Sequence, residues 1–273
     1  MKPHYVPTAE QGRLLRQAGL DTVAGAFDYE GGELLSKPNL GTRQRIRLTL
    51  TGDDARPVTW YLKRYGPVSL LRRLALLPFS LGRPSPARRE FENIRLVQAA
   101  GIATMEPIAF GDEPGLVGIR RSYLVVTSVP GEALERCFEA FLREADEDQM
   151  RQFNAALVDL VVRLHEAGLA HRDLYASHVF LDRTGEGPRL YLIDLARVLV
   201  MHVRKFRWQV KDLAQLKYSL PARWVEEHWE SFLSANLGDV GDRERRRWGW
   251  AVAARADAML RRQRRRAWRA RRG

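Results

Sequence analysis

Two aspartates frame a stretch that reads His171-Arg172-Asp173-Leu174-Tyr175-Ala176-Ser177-His178 and closes on Ile193-Asp194-Leu195. Between them lie two apolar runs, Val179-Phe180-Leu181 and Leu190-Tyr191-Leu192-Ile193, separated by Arg183-Thr184-Gly185-Glu186-Gly187-Pro188. Two strand-length apolar runs joined by a Gly/Pro turn are predicted to form a β-hairpin. The hairpin puts Asp173 just before its first strand and Asp194 just after its second, so carboxylates distant in sequence can share one pocket. That pairing suits phosphoryl transfer. One carboxylate accepts the proton of an attacking hydroxyl, and the other holds a metal ion that bridges nucleotide phosphates.

The surrounding elements have to position these groups. Arg45–Leu50 and Val58–Tyr65 are rich in β-branched and aromatic residues and flank a turn at 52–57, which predicts an antiparallel hairpin with Lys63 on its second strand. Arg88–Ala100 spaces Phe91, Ile94, Leu96 and Val97 as a helix and stops at Gly101. Glu90 and Glu92 lie two apart in it, so only one of them can point inward. Ile102–Gly111 is expected to continue the small sheet. Arg121–Thr127 reads as a buried strand that runs into Ser128-Val129-Pro130-Gly131. Gln149–Ala167 carries Phe153, Leu157, Leu160, Val161 and Leu164 on one helical face before Gly168.

The order His-Arg-Asp, a polar ligand five residues on, a hairpin and a further Asp is the signature of the protein-kinase-like fold. In detail, HRDLYASHVFLD followed by LIDLARV resembles the Kdo/WaaP lipopolysaccharide kinase family, which carries His where protein kinases carry Asn; here that residue is His178. The resemblance implies an α+β, bilobal protein-kinase-like fold. A small antiparallel β-sheet lobe with one helix, residues 1–128 with an insert at 66–86, would bind nucleotide. A larger, mainly helical catalytic lobe would span 129–242, followed by a basic helix or tail over 243–273.

The resemblance also assigns roles. Asp173 is expected to act as base in a catalytic turn with His171 and Arg172, the arginine stabilising the loop. Lys63 would hold the α/β-phosphates of ATP, and Glu90, favoured over Glu92 by the family pattern E-aromatic-x-x-I, would hold Lys63. Backbone at Thr127 and Val129 would contact adenine. The phosphate-covering loop has only Gly41, in Asn39-Leu40-Gly41-Thr42, instead of G-x-G-x-x-G. Asp194 would bind Mg²⁺. Magnesium prefers oxygen ligands, so His178 would hold a softer metal such as Mn²⁺, hold no metal, or hydrogen-bond a phosphate or Asp173. Gln209-Val210-Lys211-Asp212-Leu213 resembles the family's K-D-L helix start, with Asp212 expected to brace the catalytic turn through backbone amides.

Composition bounds the setting. The chain has 273 residues, 45% hydrophobic and 29% charged, an ordinary globular balance. The first residues lack the apolar core of a signal peptide, and no run approaches the roughly 18 apolar residues of a membrane span. Cys137 is the only cysteine, so no intrachain disulfide forms and a reducing cytoplasm is expected. Of the net charge of +12, residues 243–273 supply +11, from 13 Arg against two acidic residues. The final helix, Arg243–Arg269, has Trp248, Val252, Ala256, Met259 and Leu260 on one side and is expected to dock through Trp248 and the Met259/Leu260 pair. Its far end would point positive charge toward anionic lipid or phosphorylated sugar. The lack of interleaved aromatics counts against nucleic acid. In the 66–86 insert, Leu70, Leu74 and Leu77 share a helical face that ends at Pro78, suited to a membrane surface or to packing on the small lobe.

The expected activity is ATP-dependent phosphorylation of a heptose or Kdo hydroxyl of the lipopolysaccharide inner core, at the cytoplasmic face of the inner membrane. The rivals are an atypical protein Ser/Thr/Tyr kinase, which the missing A-P-E triplet disfavours, and a nucleotide-binding pseudokinase scaffold. The poor glycine loop and His178 favour the scaffold; the joint presence of Lys63, Asp173 and Asp194 opposes it.

Overall fold

The structure, a computed structural model, describes residues 4–6, 8–35, 43–67, 84–115 and 118–270. The chain divides into two compact units, Met1–Leu96 with Met105–Ser128 and Val97–Thr104 with Val129–Gly273. Gly41 and the helix expected around Leu70, Leu74 and Leu77, with Pro78, lie outside the described residues.

The first unit begins with two short helices, α1 (Ala9–Gln17) and α2 (Val23–Asp28), capped by Thr8 and Thr22, whose hydroxyls accept from the amides of Gln11 and Gly25. Five strands follow: β1 (Glu33–Leu34), β2 (Arg43–Thr51), β3 (Pro57–Tyr65), β4 (Pro107–Pro114) and β5 (Ile119–Thr127). They form one antiparallel sheet in the order β1-β2-β3-β5-β4. Strand alternation sends Ile46, Leu48, Trp60 and Leu62 into a core shared with Leu15, Leu20, Val23 and Ala26. The opening residues are therefore core-forming, although their sequence reads as mixed.

The same alternation puts Lys63 and Tyr65 together on the opposite side of β3. Helix α3 (Pro86–Ala99) buries Ala87, Glu90, Ile94 and Val97, a stripe at three- and four-residue spacing. Glu90 thus sits in the apolar stripe, while Glu92 lies off it and pairs with Arg88 at 3.0 Å.

In the second unit, β6 (Glu132–Ala133) leads into α4 (Leu134–Glu144) and α5 (Glu147–Glu166), the latter opened by a capping box between Asp146 and Gln149. Phe153, Leu157, Leu160, Val161 and Leu164 are its buried face, as the spacing predicts. Strand β7 (Leu169–Ala170) precedes the hairpin of β8 (Val179–Asp182) and β9 (Arg189–Leu192), and β10 (Leu199–Val200) pairs back onto β7. Helices α6 (Lys205–Ser219), α7 (Ala222–Leu237) and α8 (Asp242–Ala270) complete the unit. Phe138, Phe153, Trp224 and Trp229 are fully buried between them.

Two expectations need correction. The segment at 102–104 does not extend the small sheet: Thr104 bridges to Leu192, whose amide donates to the Ala103 carbonyl at 2.9 Å, and β4 starts only at Pro107. The hairpin edge at β9 is an open hydrogen-bonding partner that the local apolar pattern does not reveal. On α8, Trp248, Val252 and Ala256 are buried and Met259 is half-buried, but Leu260 is exposed, so the docking stripe ends before Leu260.

Candidate active site

Lys63 is buried, and its ammonium donates to Glu90 Oε1 at 2.5 Å. Tyr65, two residues along β3, donates its hydroxyl to the other oxygen, Glu90 Oε2. One carboxylate in an apolar stripe is thereby satisfied by two donors from one strand face. Met105 Sδ lies 4.0 Å from the Lys63 ammonium. An ammonium held in a buried position is suited to meet phosphate oxygens as a fixed point charge. The Thr127 amide donates to the Glu106 carbonyl at 2.9 Å and is thereby used within the protein. Val129 opens the longer segment of the second unit, Val129–Gly273.

The turn that carries Asp173 is suspended from α6. Asp212, fully buried, accepts from the amides of His171 and Arg172, both at 2.7 Å. Gln215 Oε1 accepts from the Leu174 amide at 3.2 Å, and Ser219 Oγ accepts from the Ala176 amide at 2.8 Å. Positions 212, 215 and 219 fall on one helical face. They fix the backbone from His171 to Ala176 side chain by side chain. Lys211 adds a bond from its ammonium to the Arg172 carbonyl.

Arg172 and Asp194 both adopt left-handed backbone conformations, with φ of 70° and 60°. For residues with a Cβ this costs on the order of 1–2 kcal/mol each, and such outliers gather at functional sites. His171 supplies part of the compensation. Its Nε2 bonds the Ile193 carbonyl at 3.0 Å, and its Nδ1 accepts from the Asp173 amide at 3.3 Å. A carbonyl only accepts, so Nε2 carries the proton and the ring is neutral. Burial holds its pKa below the usual histidine value. One imidazole thus ties the backbone beside Asp194 to that of Asp173. The Arg172 guanidinium lies over the Trp208 ring, 5.1 Å from its centroid.

His178 sits at the end of a 3₁₀ turn, Ala176–His178. Its Nδ1 lies 2.7 Å from the Asp173 carbonyl oxygen and must donate to it, which turns Nε2 toward Asp194, 3.5 Å from Oδ2. A ring whose second nitrogen is anchored on a backbone carbonyl has the orientation of a metal-binding histidine. Among the described residues no cluster of three or more His, Cys, Asp or Glu side chains is gathered for a metal.

The hairpin turn that spaces these groups has its own device. Asp182 accepts from the amide and hydroxyl of Thr184 at 3.0 and 2.7 Å, and these bonds hold its carboxyl below the usual range. A depressed carboxylate pKa stabilises the fold above the unfolded value of 3.8, and that contribution is lost as pH falls through the lower folded value. Asp182→Ala is expected to cost about 1 kcal/mol at neutral pH. It is also expected to flatten the pH dependence of unfolding below about pH 4, as urea titrations across pH would show.

The family model for lipopolysaccharide kinases, Kdo/WaaP, matches residues 40–236. The chain belongs to this family. A relative from Pseudomonas aeruginosa, described as lipopolysaccharide core heptose(I) kinase WaaP, is 32% identical over 141 residues, covering 49% of this chain and 52% of that protein. The Escherichia coli K12 protein of the same description is 29% identical over 188 residues, 66% of this chain and 68% of the relative. The chain therefore spans about half to two thirds of the length of these relatives. A solved structure, described as WaaP in complex with acyl carrier protein, aligns with a TM-score of 0.67 at 24% identity, over 89% of this chain and 94% of that one. The fold is accordingly that of the Kdo/WaaP kinases.

Four residues escape a reading of the family's motifs: Tyr65 in the first unit, and Gln215, Ser219 and Arg197 in the second. Arg197 Nη1 bonds both oxygens of Asp173, at 3.0 and 2.9 Å. The only sequence signal for Arg197 is a cation three residues after Asp194, which reads as an ordinary surface charge. Cys137, by contrast, behaves as a bystander: its thiol bonds the Glu132 carbonyl, and burial pushes its pKa up.

Proposed function

We propose that this chain is an ATP-dependent kinase that transfers the γ-phosphate to a heptose or Kdo hydroxyl of the lipopolysaccharide inner core. The observation that carries the reading is the suspended turn on which Asp173 sits, with Asp194 and the anchored His178 beside it. Asp173 accepts the proton as the sugar oxygen attacks phosphorus, and the bond from phosphorus to the ADP oxygen breaks. Lys63, fixed by Glu90, holds α/β-phosphate oxygens, and the backbone at Thr127 and Val129 meets adenine. The acceptor class is supported by family membership and by the printed descriptions of the heptose kinase relatives.

The donor set suits a divalent cation. Asp194 offers a carboxylate oxygen and His178 a ring nitrogen, while phosphates and water supply the remaining ligands such an ion keeps. Mg²⁺ or Mn²⁺, when bound, would offset charge on the phosphates, and the nitrogen donor tilts the pair toward the softer ion. His178→Asn is therefore expected to lower activity with Mn²⁺ by about tenfold. Activity with Mg²⁺ would change less. Equal losses with both ions in a metal titration would remove His178 from the ligand set.

The exposed end of α8 supports a peripheral place on the anionic inner face of the inner membrane. Residues 260–265 and 267–270 are all exposed, including Leu260 and Trp268. Among the described residues no helix is long and apolar enough to cross a membrane. Each arginine near an anionic surface contributes about 1 kcal/mol. Sedimentation with phosphatidylglycerol vesicles but not with phosphatidylcholine vesicles is the check; equal binding to both would contradict it.

The reading is tested by incubating γ-labelled ATP and Mg²⁺ or Mn²⁺ with dephosphorylated lipopolysaccharide core and, separately, with a generic protein substrate. Label on the glycolipid is expected. Label on protein alone would mark an atypical protein kinase. ATP binding without label on either would mark a scaffold.

A further inference from the structure

We propose that Arg197 is a specificity residue that reads a negative group on the acceptor and, in doing so, releases Asp173 for catalysis. The proposal rests on the assignment of Asp173 as base. A base needs a lone pair open to the attacking hydroxyl, yet both Asp173 oxygens accept from Arg197 Nη1, at 3.0 and 2.9 Å. The guanidinium neutralises the carboxylate and takes up part of its acceptor capacity, a partial mask.

The two cations at Asp173 differ in how they are held. The Lys211 side chain is only 14% exposed, its ammonium bonds the Arg172 carbonyl, and it lies 3.9 Å from Asp173 Oδ1. Lys211 is thus fixed by the turn it braces. Arg197 is 51% exposed at the side chain and reaches Asp173 from the end of the 3₁₀ turn Leu195–Arg197. The strand β10, two residues on, holds that backbone against β7, so a change at Arg197 falls to its side chain. An ion pair with one partner this exposed is weakly held, and a competing anion can displace it.

Guanidinium forks match carboxylate and phosphate oxygens. An acceptor sugar with such a group near its reacting hydroxyl therefore offers Arg197 a second partner. Binding it uncovers Asp173 beside the hydroxyl to be deprotonated. A neutral acceptor leaves the mask in place. With residues 243–273 set aside, the chain carries 32 basic and 31 acidic residues. The net charge of the body is thus near zero, which leaves room for local cations such as this one to decide recognition. The chemical class is an anionic glycoside, bearing carboxylate or phosphate, in place of a neutral sugar.

The test uses the full chain with two probes: dephosphorylated lipopolysaccharide core, and the same core with its carboxylates converted to methyl amides. For the native protein, kcat/KM is expected to be about tenfold or more higher on the anionic core. In Arg197→Gln the two probes should become equal, through a raised KM on the anionic core. ATP hydrolysis without acceptor should rise several-fold, because the base is uncovered. Arg197→Lys should recover part of the discrimination. A thermal scan confirming an unchanged Tm in Arg197→Gln secures these readings. Equal use of both probes by the native protein would overturn the proposal, as would an Arg197→Gln loss confined to kcat and equal on both. Asp173→Asn separates the levels. If it abolishes transfer to both probes, the base assignment stands whatever Arg197 does; if transfer survives, the assignment beneath the proposal falls.

Discussion

Asp212→Ala is expected to destabilise the second unit by about 4 kcal/mol and to abolish phosphate transfer. The carboxylate accepts two amides at 2.7 Å, from His171 and Arg172, and has no solvent exposure. Its removal leaves the buried His171 amide and the part-buried Arg172 amide without an acceptor, at a cost of roughly 1–3 kcal/mol each, and more because the lost partner is charged. The amide of Arg172 matters most. That residue holds a left-handed conformation that its surroundings must enforce, and Asp173 follows it directly. Asp212→Asn keeps one accepting oxygen but turns an amide donor toward the second N–H, so an intermediate loss is expected. Urea unfolding of the three proteins measures the order. An alanine variant as stable as the native chain would show that the turn is held by Gln215, Ser219 and Lys211 without Asp212.

Breaking the Lys63–Glu90 pair from one side should be nearly as costly. Glu90→Ala leaves a buried ammonium without its carboxylate and removes the acceptor of the Tyr65 hydroxyl. The expected loss is about 3–5 kcal/mol in stability and about a hundredfold in kcat/KM, since the ammonium proposed to hold phosphate is then misplaced. Replacing both residues with methionine, Lys63→Met with Glu90→Met, should restore most of the stability, because buried ion pairs exchange for apolar residues at little cost. Activity should stay low. That divergence separates a catalytic pair from a structural one: recovery of activity along with stability would show that the ammonium is not needed for transfer.

How much of this was legible in the sequence depends on the kind of contact. Glu90 could be chosen over Glu92 by family pattern, and the structure sets it in the stripe Ala87, Glu90, Ile94, Val97 that any helical spacing exposes to view. The hairpins at 43–65 and 179–192 were legible because strand alternation and Gly/Pro turns are local signals. Asp212 was reachable through its K-D-L neighbourhood. Gln215 and Ser219 were not, because a side chain that meets a distant backbone amide leaves no trace in composition. The left-handed turns at Arg172 and Asp194 were hidden for the same reason: no glycine marks them, and long-range bonds impose them. The first 28 residues supply core side chains such as Leu15, Leu20 and Val23, but their helices are too short for periodicity to stand out.

The central assignment, a kinase whose base is Asp173, is tested most directly by comparing Asp173→Asn with the native protein in single-turnover reactions of bound, labelled ATP with lipopolysaccharide core. The expected result is unchanged ATP affinity with transfer slowed by about a hundredfold or more, the scale of a lost general base. Transfer at the native rate would contradict the assignment.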